Sequence, residues 1–459
     1  MITITDNCTK KLSDFGFDND TLHKVKCNLG MIANTKISNL SHKTPNLLVF
    51  PRDLHYYGDE ISESTILTIN DEEISTGNIM GFVGVNDTQV NIKSRFFESD
   101  VHDYFLHYML QRVFSINLFD IKHSTSSQPI FDFLIYLFPY FLKKAFAQGI
   151  YKRYRQYEYN DANIRGAIDV NRHIRQNVPF KGAVAYSTRE HSYDNEITQL
   201  VRHTIEYLRL KKQGSIILNN DNDTRDCVSQ IILATPTYNF RDRNKIISHN
   251  LRPVCHPYYS SYTDLQKICL QILRHDSIKY GQEKDKVYGV LFDGAWLWEE
   301  YLYTILKTCN FKHPENRNQK GGFRMFEKPE VDDIISNNSR RLYPDFYKEN
   351  FILDAKYKHL NKDVGREDLY QVVAYMYCKK YRHGGYIYPY GNSNQEQEIK
   401  SYQLAGYNGY MHLFPFCVPQ FISNKSDGQE EYKYNDFVKE ILKSEDLLKE
   451  KILKAEILS

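Results

Sequence analysis

The spacing of apolar residues changes along the chain, and each change marks a change of predicted structure. Short apolar runs between residues 45 and 98 predict about four or five β-strands: Leu47–Phe50, Ile66–Ile69, Met80–Val83 and Gln89–Ile92. Helical periodicity then appears in His102–Phe114, Phe131–Phe146, Thr198–Lys212 (ended by Gly214), Asp223–Thr235 and Tyr262–His275. An α/β pattern runs from about residue 287 to 425, and residues 430–458 predict a charged amphipathic helix.

These changes predict a multidomain α+β protein with three parts. A β-rich domain covers residues 1–99, a helical domain covers residues 100–284, and an α/β domain covers residues 285–459, after the polar linker Gly281–Lys286. A chain of 459 residues is too long for one hydrophobic core. We expect the third part to fold by itself, because its candidate chemistry lies entirely after residue 285.

The candidate chemistry lies in the segment Tyr343–Lys356. The apolar run before Asp354 predicts a buried strand, and Lys348–Asn350 predicts a hairpin turn that brings Asp345 beside Asp354. Side chains alternate along a strand, so Asp354 and Lys356 point to one face. Two converging carboxylates favour a hard cation such as Mg²⁺, and a neighbouring amine orients or activates water. The alternative is an ordinary exposed cross-strand pair.

Two predicted helices flank this hairpin. In the first, Glu299 lies at the edge of an apolar stripe, about 100° from Trp298, whereas Glu300 points towards solvent. In the second, Gln371 and Tyr375 share one face. The order of helix, Asp345/Asp354-x-Lys356 hairpin and Gln-x-x-x-Tyr helix resembles the PD-(D/E)xK nuclease superfamily. That resemblance implies a C-terminal α/β PD-(D/E)xK nuclease domain in which Asp345, Asp354 and Glu299 bind metal.

The same resemblance implies catalytic roles for Lys356, which would position or activate water, and for Gln371, which would support the site. A second resemblance involves the segments Asn163–Arg175, Ala185–Glu196 and Gly294–Glu299. Their combination of Arg-Gly-x-Ile-Asp, Asp-Asn before a long helix and Gly-Ala-Trp-Leu-Trp-Glu looks like the McrC family, the nuclease subunit of McrBC-type restriction systems.

The McrC resemblance implies a cytoplasmic, Mg²⁺-dependent endonuclease subunit that cleaves double-stranded DNA in phage defence. It further implies a McrB-like AAA+ GTPase hexamer as partner, stimulated by the N-terminal part of this chain, and a dimer formed through the nuclease domain. The sequence contains no Gly-x-x-x-x-Gly-Lys-Ser/Thr phosphate loop, so any nucleotide hydrolysis by that route belongs to a partner.

The net charge of the chain limits where a DNA-binding surface could lie. A net charge of +2 means that any DNA-binding surface is local. The strip from Tyr151 to Tyr159 alternates cations with tyrosines, which gives Lys152, Arg153 and Arg155, with Arg165 nearby, as candidate DNA contacts. The alternatives are a solvated strand or helix edge for the strip and a structural turn at Arg165-Gly166.

Other features exclude several protein classes. The cysteines show no Cys-x-x-Cys pair, so a zinc site or a disulfide framework is not expected. No secretory leader or membrane span is predicted. Histidines such as His313 lack ligand spacing and are predicted to be surface or core residues. Two other functions stay open: a non-catalytic activator of an AAA+ NTPase, and a stand-alone DNA nuclease.

Overall fold

The structure is a computed structural model. It describes residues 2–44, 47–51, 63–70, 72–86, 88–97, 103–114, 129–219, 221–279, 287–314, 321–325, 341–360, 364–391, 397–420 and 434–457. The described chain forms two compact units, Met1–Ile116 with Lys284–Ser459, and Asn117–Glu283. We call them the discontinuous unit and the inserted unit. The predicted linker Gly281–Lys286 lies outside the described residues.

The discontinuous unit begins with alternating strands and helices. Its elements before the insertion are β1 (Ile2–Thr5), β2 (Thr9–Lys11), α1 (Asn19–Gly30), α2 (Ile37–Lys43), β3 (Leu47–Phe50), β4 (Leu67–Asn70), β5 (Glu73–Thr76), β6 (Ile79–Val85), β7 (Thr88–Lys93) and α3 (Tyr104–Val113). The predicted strands of this region and the helix near residue 104 are confirmed.

The inserted unit contains seven helices and three strands among its described residues. They are α4 (Pro129–Phe146), β8 (Arg153–Asp161), β9 (Ala167–Ile168), α5 (Val170–Asn177), β10 (Val184–Ser192), α6 (Glu196–Arg209), α7 (Lys212–Leu218), α8 (Asn222–Ala234), α9 (Arg243–His249) and α10 (Ser261–Lys279). The predicted helical middle part is mainly helical, but it also contains an antiparallel sheet of β8, β10 and β9 that the helical pattern did not predict. Gly214 was predicted to end a helix but lies inside α7.

The chain then returns to the discontinuous unit. Its remaining elements are β11 (Val287–Asp293), α11 (Gly294–Leu306), β12 (Phe323–Arg324), β13 (Arg341–Leu342), β14 (Phe346–Lys348), β15 (Phe351–Ala355), α12 (Arg366–Lys379), β16 (His383–Tyr390), β17 (Lys400–Gln403), β18 (Tyr410–Cys417) and α13 (Tyr434–Ile457). The predicted α/β pattern and C-terminal helix are confirmed, and the protein is of the mixed α+β class.

Two five-stranded sheets organise the discontinuous unit. The first has the order β1-β7-β6-β11-β3, and the second has the order β14-β15-β16-β18-β17. In the first sheet β11 pairs antiparallel with β6 and parallel with β3. A strand from the predicted third part therefore lies between two strands of the predicted first part. This pairing argues against the expectation that residues 285–459 fold by themselves.

The second sheet positions the candidate chemistry. Its centre is parallel, β15 with β16 and β16 with β18, and each of the eight residues of β16 is buried. α12 packs on this sheet through Val372 and Met376, and Gly384 lies beneath it where a Cβ would come within 2.3 Å of the Met376 sulfur. The carboxyl end of β15, where Asp354 lies, is therefore held firmly between β14, β16 and α12.

Candidate functional site

The two predicted acidic residues lie side by side at one end of a hairpin. β14 and β15 pair antiparallel with Phe346 opposite Leu353, and Asp345 and Asp354 are the next residues outward. Asn350 in the turn adopts a φ of 62°, a left-handed conformation that Asn tolerates better than most residues. The predicted hairpin is confirmed, and it brings the two carboxyl groups together.

The protein fixes both carboxyl groups tightly. The backbone N–H of Ala355 donates a hydrogen bond to Asp345 Oδ2 at 2.7 Å. Asp354 is 2% exposed and lies in the central part of the sheet. Burial, followed by the charges of Asp354 and Glu299, raises the pKa of Asp345 well above its usual range. Burial also raises the pKa of Asp354, although Lys356 opposes it. The pair is therefore a place where added positive charge is stabilising.

Lys356 supplies positive charge to this pair. Its Nζ lies 2.7 Å from Asp354 Oδ2 and 3.1 Å from Asp368 Oδ1. Burial alone would lower the pKa of Lys356, but the surrounding carboxylates outweigh it and raise that pKa above its usual range. In this arrangement the ammonium keeps its proton, so it can donate hydrogen bonds but is a poor base.

Asp368 is a site residue that the sequence reasoning missed. It lies in the first turn of α12 and contacts both Lys356 and Lys358, whose Nζ donates to Asp368 Oδ2 at 2.6 Å. Burial raises its pKa, but these two lysines outweigh burial and the pKa falls below its usual range. Asp368 precedes Gln371 by three residues, so helical spacing from the recognised Gln could have located it.

Gln371 and Tyr375 extend the same face of α12. Gln371 Nε2 donates to the Tyr375 hydroxyl at 2.9 Å. Burial raises the pKa of Tyr375, and the charges of Asp354 and Asp345 add to the shift. Those charges act on Tyr375 because its hydroxyl lies near the carboxylate pair. The structure thus brings Gln371 to the border of the site through Tyr375.

The two acidic residues of α11 both face His313. Glu299 Oε1 lies 3.7 Å from His313 Nδ1, and Glu300 Oε1 lies 3.8 Å from His313 Nε2. Glu300 also accepts a hydrogen bond from Trp296 Nε1 at 3.2 Å, and its side chain is 33% exposed. The prediction that Glu300 points into solvent is wrong, because Trp296 one helical turn earlier and His313 after the helix cover it.

His313 connects α11 with the hairpin, a role that its sequence context did not show. Its Nδ1 donates to the backbone carbonyl of Asp345 at 2.7 Å. Burial alone would lower the pKa of His313, but the contacts with Glu300 and the Asp345 carbonyl outweigh burial and raise it. The side chain of Glu299 is 25% exposed, and its charge contributes to the raised pKa of Asp345.

The donor set suits a magnesium ion with two protein ligands. Within the described ranges, no group of three or more His, Cys, Asp or Glu side chains is arranged to hold a metal ion. Asp354 is nevertheless buried, Asp345 is half-buried, and the charge of Asp354 raises the pKa of Asp345. Mg²⁺ is commonly bound through one or two carboxylates, with waters and substrate phosphates completing its shell. Glu299, whose charge raises the pKa of Asp345, is a candidate for a third carboxylate.

The candidate DNA contacts all lie on the inserted unit and are exposed. Lys152 lies 4.8 Å from the Tyr193 ring, Arg153 Nη1 lies 3.2 Å from Glu196 Oε2, and Arg155 Nη1 donates to the Asp194 carbonyl at 3.2 Å. β8 is confirmed as a largely exposed strand. These cations belong to the inserted unit, whereas the Asp345/Asp354 pair belongs to the discontinuous unit.

The motif residues of the inserted unit have local structural roles. Asn195 caps α6 through hydrogen bonds from Ile197 N and Thr198 N, and Thr198 completes a capping box. Gly166 permits close approach to β10, since a Cβ there would lie 2.1 Å from the Ser187 carbonyl oxygen. Asp169 caps α5. These motif residues therefore stabilise the inserted unit.

Comparison with known proteins defines the class. The model of the McrBC family, described as "McrBC 5-methylcytosine restriction system component", matches residues 74–389, more than half of the chain. The chain belongs to this family, and its features are those of an McrC-type protein. No curated protein matches the sequence.

Two solved structures from Thermococcus gammatolerans are similar to the chain. One is described as a refined half-complex from the tetradecameric assembly of McrB AAA+ hexamers with bound McrC. It has 15% identity, covers 96% of this chain and 99% of that chain, and gives a TM-score of 0.49. The other is a cryo-EM structure of the McrBC complex, with 15% identity, coverage of 68% and 89%, and a TM-score of 0.36. Among the described residues, no helix combines the length and apolarity that crossing a membrane requires.

Proposed function

We propose that this chain is the nuclease subunit of a McrBC-type restriction system and hydrolyses DNA phosphodiesters with Mg²⁺. The pair of buried Asp354 and half-buried Asp345, with Lys356 2.7 Å from Asp354, carries the proposal. Membership of the McrBC family supports it. In this proposal the sheet β14-β15-β16-β18-β17 with α11 and α12 forms the PD-(D/E)xK nuclease domain.

Asp345 and Asp354 would hold Mg²⁺, with Glu299 as a third carboxylate. The bound ion would supply Lewis-acid stabilisation of the charge that develops on the attacked phosphate. Lys356 would orient the attacking water and stabilise negative charge, since its raised pKa keeps it protonated. Asp368 would fix the direction of the Lys356 ammonium, and Gln371 would support the site through Tyr375.

We propose that the partner is a McrB-like AAA+ hexamer. One similar solved structure is described as McrB AAA+ hexamers with bound McrC, and the other is described as a McrBC complex. The sequence of this chain contains no phosphate loop, so GTP hydrolysis would belong to the partner. Double-stranded DNA would be the substrate, and exposed cations such as Arg165 on the inserted unit are candidate contacts with it.

A non-catalytic activator of the same partner is a second candidate function. The finding that favours it is the absence, within the described ranges, of a three-residue metal-binding group. Lys356 already compensates the charge of Asp354 in this arrangement. Under this alternative the chain would stimulate the partner's GTPase but would not cut DNA.

Cleavage and GTP turnover measured together in Mg²⁺ separate the two functions, and metal removal is a further control because the partner's GTP hydrolysis also needs Mg²⁺. The full chain, its McrB-like partner and GTP are mixed with plasmid carrying 5-methylcytosine, in Mg²⁺ or after EDTA chelation followed by Ca²⁺. We expect linear product only in Mg²⁺ and only with both proteins, because the carboxylate pair alone cannot stabilise phosphate charge. The partner alone is the control. If the plasmid stays intact in Mg²⁺ with both proteins present, while GTPase stimulation is normal, the result supports the activator function and contradicts the nuclease function.

A further inference from the structure

A buried network joins the first sheet to the residue that follows Lys356. Arg95, two residues after the end of β7, donates from Nη2 to the backbone carbonyl of Tyr357. The same guanidinium lies 4.8 Å from the centre of the Tyr357 ring. At the other end of that ring, the Tyr357 hydroxyl lies 2.8 Å from Ser94 Oγ. Tyr357 is 5% exposed. Arg95 therefore fixes its backbone carbonyl and Ser94 fixes its hydroxyl, directly after Lys356 in the chain.

The network holds Arg95 itself in one place. Asp6 Oδ1 accepts from the backbone N–H of Arg95 at 2.7 Å, and Asp6 Oδ2 lies 3.3 Å from Arg95 Nη1. The side chain of Asp6 is fully buried and that of Arg95 is 14% exposed. An arginine held by backbone, side-chain and ring contacts has little rotational freedom, which suits it to fix another group.

The same network also reaches the start of α11. Arg95 Nη2 donates to Asn78 Oδ1 at 3.1 Å, and the Asn78 backbone carbonyl accepts from Gly294 N at 2.9 Å. Gly294 is the first residue of α11, and a Cβ there would lie 2.8 Å from the Tyr357 ring. Glu299 lies on this helix. One arginine is therefore bonded both to Tyr357, the residue after Lys356, and to Asn78, whose backbone carbonyl binds the first residue of the Glu299 helix.

We propose that Arg95 is a positioning residue for the nuclease site, which sets the relative placement of Lys356 and α11 through Tyr357 and Asn78. The inference rests on the proposed function. It assigns to the first sheet, which lies outside the nuclease hairpin, a direct part in the geometry of catalysis. Small displacements of reacting groups have large kinetic effects, so the loss of this contact should appear in the rate of the chemical step.

Arg95→Lys in the full chain with its partner tests this directly. Lysine keeps the charge that pairs with Asp6 but cannot reproduce the planar fork that serves Asn78 and Tyr357 together. We expect the single-turnover cleavage rate at saturating DNA and Mg²⁺ to fall about 100-fold. The DNA concentration for half-maximal rate should stay unchanged, because Arg95 is not placed at a DNA-binding surface. A purely structural residue would instead lower the fraction of folded protein.

The matched control is Arg382→Lys. Arg382 is an exposed arginine of the same unit that lies directly before the first residue of β16. The variant should cleave like the natural protein. Rates are measured well below each melting temperature, with the folded fraction checked by circular dichroism. Cleavage by Arg95→Lys at the natural rate would overturn the positioning role. Absence of cleavage by the natural protein and by Arg382→Lys would instead overturn the proposed function.

Asn78→Ala decides the matter if Arg95→Lys does not fold. It removes one acceptor of Arg95 but keeps the backbone bond from Asn78 to Gly294. We expect about a tenfold lower rate at saturating DNA, the effect of about 1.4 kcal/mol in the barrier. An unchanged rate in the folded Asn78→Ala protein would contradict the proposal.

Discussion

Lys356→Met should lower DNA cleavage by at least about 1,000-fold, equivalent to about 4 kcal/mol of transition-state stabilisation. The ammonium of Lys356 lies between Asp354 and Asp368. Methionine has a similar length but supplies neither a charge nor a hydrogen-bond donor. The substitution should also lower the melting temperature, because buried carboxylates would lose their counter-charge. Single-turnover plasmid cleavage with Mg²⁺ and the partner measures the first effect, and calorimetry measures the second.

Lys358→Met is the matched control for this variant. Lys358 binds the same Asp368, through a contact of 2.6 Å, but its side chain is 48% exposed. Water can replace an exposed ion pair at little cost, so we expect less than about a threefold change in cleavage. Equal losses in the two variants would show that the lysines act through Asp368 alone, and that Lys356 has no special place in the chemistry.

Glu445→Leu should destabilise the discontinuous unit by about 3 kcal/mol. Glu445 on α13 is 2% exposed and accepts hydrogen bonds from the hydroxyls of Tyr108 and Tyr301, each at 2.9 Å. Arg112 Nη2 lies 3.3 Å from its second oxygen. Leucine would leave two enclosed hydroxyls without their acceptor. The measurement is urea unfolding followed by tryptophan fluorescence, because both tryptophans lie on α11 in this unit.

Two further variants of α13 serve as controls for the stability loss of Glu445→Leu. Glu445→Gln keeps an acceptor oxygen for the tyrosines and should cost about 1 kcal/mol. Glu450→Leu, at an exposed position of the same helix, should change stability by less than about 0.5 kcal/mol. If Glu445→Leu has the same urea midpoint as the natural protein, the contacts of Glu445 with α3 and α11 do not contribute to stability.

The local part of the site was accessible from the sequence. The run Phe351–Leu353 and the polar turn before it predicted the hairpin, since strand pairing across a short turn depends on neighbouring residues only. The period of α11 similarly predicted which way Glu299 faces. Glu300 was misplaced because its cover comes from His313, which lies outside the helix. The catalytic roles of Asp345, Asp354, Lys356, Glu299 and Gln371 stay predictions until they are measured.

The pairing of strands that lie far apart in the sequence could not be predicted from local patterns. β11 pairs with β3, about 240 residues earlier in the chain, and with β6. An apolar strand does not specify which distant strand it will join. Removing residues 1–100 would strip β11 of both neighbours and remove Arg95, so this truncation is a poor test of an independent nuclease domain. Point substitutions in the full chain test the role of the site residues more reliably than this truncation.

The inserted unit shows a similar limit. The pattern of the strip Tyr151–Tyr159 leaves strand and helix edge open, and β10, which pairs with β8 in this region, starts more than twenty residues after the end of β8. Along β8, Tyr157 and Tyr159 share one face and are half-buried, whereas Arg153 to Gln156 are exposed on both faces. Helix-period counting across this region therefore missed a sheet whose strands carry few apolar residues.

The most direct measurement compares the natural protein with the double variant Asp345→Asn/Asp354→Asn, each assembled with the McrB-like partner. Single-turnover cleavage of 5-methylcytosine-containing plasmid in Mg²⁺ is followed together with GTP turnover by the partner. The account predicts that the double variant stimulates GTP turnover like the natural protein but leaves the plasmid supercoiled. Linearisation by the double variant at the natural rate would contradict the assignment of the carboxylate pair as the catalytic centre.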